Sequence, residues 1–88
     1  MTTKPPPVVR GFPPESLEKI AYDSVRSIPT QEPNDRDRLG YHVWRWLANR
    51  EGTLPEAIAI SGSRMHITRE EALKIISENL RKQGIQLS

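Results

Sequence analysis

The chain contains no cysteine. A disulfide-stapled secreted scaffold and a thiolate metal site are thereby excluded. It also has no run of about 18 apolar residues, so no segment is expected to span a membrane. Where a signal peptide would carry an apolar stretch, Lys4 is followed by Pro5, Pro6 and Pro7. Secretion is therefore not expected, and a reducing, cytoplasmic setting is.

Residues that carry chemistry are sparse. His42 and His66 lie far apart in the sequence, and no metal site is expected from them. Ser63 and His66 share a loop, but no carboxylate is placed to complete a nucleophilic set. Glu70 and Glu71 are neighbours, so on a helix they point about 100° apart and form no acid–base pair. No Lys-Ser or Lys-Thr pair follows Gly62, which excludes a Walker loop. We expect no enzyme and no cofactor.

What is present is a short, mixed-charge chain. Its 88 residues allow one domain with a thin core, burying roughly 60–65% of the unfolded surface. The sequence pI of 9.3 invites a nucleic-acid reading. The charge is unevenly placed, however. Residues 1–14 hold Lys4 and Arg10 and no acid. The other 11 basic residues (13 less these two) balance 11 acids, so the net +2 belongs to the N-terminal segment. Five of the eight prolines fall in that segment as well. Proline blocks regular helix and favours extended chain. Residues 1–13 are read as a flexible proline-rich arm, in which Val8, Val9 and Phe12 offer apolar docking points, and residues 14–88 as a single helical domain.

Helical spacing then recurs four times. Leu17, Ile20, Ala21, Ser24, Val25 and Ile28 predict a first helix over about 15–28, opened by Pro13 and Pro14 and stopped by Pro29. Leu39, Val43, Trp46 and Leu47 predict a second over about 35–50, with Asn34 as N-cap and Gly52 as the stop. Gly40, inside this helix, costs about 1 kcal/mol against alanine, which calls for close packing there or a later helix start. Thr53 and Glu56 form a capping box for a short third helix over about 54–60, and Thr68 and Glu71 form another for a fourth over about 69–83. Gly84 and Ile85, with Leu80, read as a Schellman stop. The connector 64–67 has room for a few extended residues. The predicted fold is all-α, a bundle of three main helices and one short one. Its expected core is Leu17, Ile20, Val25, Leu39, Val43, Trp46, Leu47, Ile58, Ile75, Ile76 and Leu80.

Helix termini absorb most of the charges: Glu15 and Glu18 open the first helix with Arg26 near its end, Asp35 and Asp37 open the second with Arg50 closing it, and Glu70 and Glu71 open the fourth with Arg81 and Lys82 closing it. Arg38, Arg45, Arg64 and Arg69 are left over. Arg38, His42, Arg45 and Asn49 share one face of the second helix, flanked by Tyr41 and Trp44, and no acid occurs from Arg38 to Arg50. Arginine beside aromatic rings anchors protein interfaces, stacks on bases or binds phosphate. The plain alternative is a solvated face with Trp44 covering a neighbouring helix. Arg64 and Arg69, around the start of the fourth helix, are a second candidate as an anion contact, although Thr68 already caps that helix and Glu70 and Glu71 repel anions. A helix-turn-helix over residues 54–83 is disfavoured, because its turn should be three or four residues and here Ser61 to Ile67 intervenes.

The expectation from sequence is a non-enzymatic interaction or regulatory module. It would bind a protein partner, or a second copy of itself, through Arg38, His42, Trp44, Arg45 and Asn49. The alternative is a nucleic-acid-binding regulator that uses the same face together with the arm.

Overall fold

Four helices form in the computed structural model, which describes residues 12–49 and 52–87: α1 Pro14–Ser24, α2 Pro33–Asn49, α3 Leu54–Ser61 and α4 Arg69–Lys82. The fold is all-α, as the apolar periodicity predicts. Most of the proline-rich arm, with Lys4 and Arg10, lies outside the described residues. Phe12 is described, and it packs partly buried against the core beside Gly84.

The first two helices differ from expectation at their facing ends. α1 stops at Ser24, four residues short of Ile28. A continuing helix would need the N–H of residue 29 for the Val25 carbonyl, and Pro29 has none. The chain tightens instead, and the Ile28 N–H takes the Val25 carbonyl at 3.0 Å. The Ser24 carbonyl is taken across the bundle by Asn79 Nδ2 at 3.0 Å. Arg26, expected near the end of the helix, lies beyond it and pairs with Asp23 at 3.1 Å. α2 begins at Pro33, so Asn34 stands inside the helix and does not cap it. Asp35 takes over by reaching back to accept the Glu32 N–H at 3.1 Å. The expected closing residue of this helix, Arg50, lies outside the described residues; Gly52 does adopt the left-handed conformation, with φ 71°.

The other two helices follow their local signals. Thr53–Glu56 and Thr68–Glu71 are complete capping boxes, each with both reciprocal hydrogen bonds. α4 ends in a Schellman motif. The Ile85 N–H bonds the Leu80 carbonyl at 3.0 Å, the Gly84 N–H bonds the Arg81 carbonyl at 3.0 Å, and Ile85 and Leu80 are both buried. Between α3 and α4, Met65 bridges antiparallel to Thr30. The Gln31 N–H bonds the Arg64 carbonyl at 3.0 Å, and the His66 N–H bonds the Pro29 carbonyl at 2.9 Å. The connector 64–67 is therefore extended over this short stretch and is zipped to the α1–α2 loop.

The helices pack as a ring: α2 lies on α1 and α3, and α4 lies on α1 and α3. Inside sit Leu17, Ile20, Val25, Leu39, Val43, Leu47, Ile58, Ile76 and Leu80, as expected, joined by Ala21, Ile28, Leu54, Ala72 and Ile85. Trp46 and Ile75 are corrections, being only partly buried at the edge of the core. Trp46 sits near the open end of α2, where its indole N–H reaches the Gly52 carbonyl at 3.3 Å. Gly40 explains itself by contact. A Cβ there would lie 2.6 Å from Tyr22 Cδ1, so glycine is what lets α1 approach α2. No helix among the described residues is long and apolar enough to cross a membrane.

Candidate functional site

The arginines that helix termini leave over fall into different environments. At the start of α2, Asp35 is fully buried. A buried carboxylate is tolerated only when paired and hydrogen-bonded. Arg38 Nη1 lies 3.4 Å from Asp35 Oδ1, and Arg64 Nε lies 3.6 Å from Oδ2. Burial pushes the Asp35 carboxyl upward. The backbone N–H groups of Arg64 and Glu32 and the charges of Arg64 and Arg38 outweigh it, and the net shift is below the ordinary carboxylate value. Ser63 Oγ donates to the Asp35 carbonyl at 2.7 Å, and Arg36 Nε donates to the Ile28 carbonyl at 3.1 Å. This node ties the start of α2 to both loops. Arg38 and Arg64, each read from sequence as a ligand contact, have an internal counter-ion here.

Toward the other end of α2 the pattern reverses. Arg45 takes part in no ion pair among the described residues. Its guanidinium carbon lies 5.8 Å from the centre of the Tyr41 ring, within cation–π range. Tyr41, itself exposed, stands edge-on to His42 at 5.4 Å and to Trp44 at 6.1 Å between ring centres. Trp44 is half-buried and packs against the core, so it both covers the bundle and borders the surface. Its Nε1 is buried and has no hydrogen-bond partner among the described residues.

Two hollows meet along Arg45 and Asn49. One, of about 490 Å³, is walled by Tyr41, Trp44 and Ala48. The other, of about 340 Å³, runs between α2 and α3, where His42 and Trp46 face Glu56, Ala57 and Ile60. Ile60 is the most exposed large apolar residue described, at 69%. Glu56, the acid beside this cleft, accepts hydrogen bonds from the Thr53 N–H and hydroxyl, both at 3.0 Å. Burial, with the charges of Arg45 and Arg38, holds the His42 imidazole below its ordinary value, so the neutral form is favoured.

Of the residues picked from sequence, His42, Arg45 and Asn49 come together in the α2–α3 cleft, and Trp44 shares the adjoining hollow. Arg38 is turned toward Asp35. Arg69 lines a separate depression of about 250 Å³ with Pro55, Ile58, Glu70 and Leu73, while Arg64 belongs to the Asp35 node. The α3 contribution to the cleft was missed. One signal for it was available: Ile60 follows Ile58 by two residues, which places them on opposite sides of a helix. The described residues hold no cluster of three or more His, Asp or Glu side chains able to take a metal ion. No protein-family model, curated protein or solved structure gives a significant match to the chain.

Proposed function

We propose that this protein is a non-enzymatic interaction module whose working surface is the outer face of α2 from Tyr41 to Asn49. One observation carries the reading. Arg45, stacked near Tyr41 and free of any acidic partner among the described residues, stands on the ridge between two hollows. Interface anchors are typically aromatic or arginine side chains beside concave, partly apolar surface. Nucleic-acid binding, the alternative, needs several phosphate contacts along one face. Asp35 engages Arg38 and Arg64, which shortens the basic stripe and favours a protein partner.

A photo-crosslinking residue in place of Tyr41 tests this. The expected result is a discrete protein adduct in cells, absent when the same residue replaces exposed Lys74 on α4. Equal adducts from both positions, or a nucleic-acid adduct from Tyr41 alone, would overturn the reading.

A further inference from the structure

The cleft between α2 and α3 is chemically lopsided. On the α2 side stand Arg45 and the His42 ring, with Arg38 one turn back; on the α3 side the charged residue is Glu56, whose carboxylate is turned to Thr53. Trp46, Ala57 and the exposed Ile60 give the same cleft an apolar part. A cation without a counter-ion among the described residues therefore borders an apolar hollow of about 340 Å³.

Resting on the interface reading above, we propose that this cleft binds an acidic peptide segment. A partner carboxylate sits on Arg45, an aliphatic side chain sits on Trp46, Ala57 and Ile60, and His42 takes up a proton as the segment binds. Charge complementarity argues for this occupant. A second copy paired two-fold through this face would bring its own basic face against this one, and like charges juxtaposed across an interface are unfavourable. The proton follows from the groups around His42, which among the described residues are Arg38, Tyr41 and Arg45 on α2 and Glu56 across the cleft on α3. In the free protein, burial and the two guanidinium charges favour neutral imidazole. A carboxylate placed on Arg45 cancels part of that field and raises the affinity of the ring for a proton. By linkage the segment then binds more tightly as pH falls through the titration of His42.

The test uses the full chain with two blocked peptides, Ac-ELEELE-NH2 and its uncharged counterpart Ac-QLQQLQ-NH2, followed by amide and imidazole NMR. The acidic peptide should shift α2 and α3 resonances and raise the titration midpoint of His42. Its affinity should increase about threefold to tenfold between about pH 7.5 and about pH 5.5. Arg45→Gln should weaken it about tenfold with an unchanged circular dichroism spectrum. His42→Gln should still bind it, with the pH dependence gone. Equal binding of the two peptides, absence of binding, an affinity flat with pH, or displacement of the acidic peptide by a short DNA duplex would each overturn the proposal. If Tyr41 crosslinks a protein while the two peptides behave alike, the interface reading stands and this inference alone fails.

Discussion

The two ends of α2 use the same side chain in opposite ways. Near its start, Arg38 is drawn to a buried carboxylate that Arg64 also reaches from the α3–α4 connector. Near its end, Arg45 lies over an exposed tyrosine with no acid beside it among the described residues. A basic residue is thus structural where a buried acid gathers it and available where none does. The difference shows that the acid-free run from Arg38 onward is not one uniform binding stripe. One buried acid, just before that run, divides it.

Removing the buried acid should break the comparison most severely. Asp35→Ala takes away the acceptor for the Glu32 N–H and the counter-ion for two arginines. Thermal unfolding should show a loss on the order of 15–20 °C in Tm. The same carboxylate sets an acid limit. Its folded value lies below its ordinary value of 3.8, so the unfolded chain binds the proton first. The stability from Asp35 is therefore fully present above that value and is lost as pH falls through the folded one. Chemical denaturation at a series of pH values should show this acid loss in the natural chain and a flatter profile in Asp35→Asn.

Gly40 lies between the two ends. Gly40→Val should cost about 2 kcal/mol, because the added carbons meet the Tyr22 ring. Combining it with Tyr22→Ala should cost less than the sum of the two single changes, measured by urea titration.

Trp44 sharpens the boundary of the open end. Trp44→Ala should lose about 1.5 kcal/mol, since the ring is only partly buried. Trp44→Phe should stay within about 1 kcal/mol of the natural chain, because it also removes a buried N–H that has no partner among the described residues. The smallest stability effect belongs to the residues proposed to bind. Arg45→Ala and Tyr41→Ala should each change unfolding free energy by no more than about 0.5 kcal/mol, while Arg45→Ala abolishes the adduct from a crosslinker at position 41. A large stability loss from Arg45→Ala would make the two ends alike and remove the distinction.

The legible parts of the molecule are those whose physics is local. Both capping boxes, the Schellman stop at Gly84 and the apolar stripes depend on residues within a turn or so of one another. Spacing along the chain therefore determines them, and with them the all-α architecture and most of the core. The glycine at position 40 signalled a close approach but not its partner, because Tyr22 arrives from another helix. Asp35 read as an ordinary helix opener. Its pairing draws on Arg64, and Ser63 holds its carbonyl; both come from the α3–α4 connector and are brought in by packing. The same holds for the cleft: α2 supplied a recognisable set of polar residues, but α3 provides its other wall and leaves Ile60 exposed there. Sequence alone thus determined the helices and the list of arginines. Tertiary packing decided which arginines have a counter-ion, because charge compensation depends on distance in space, and residues distant in sequence supply it.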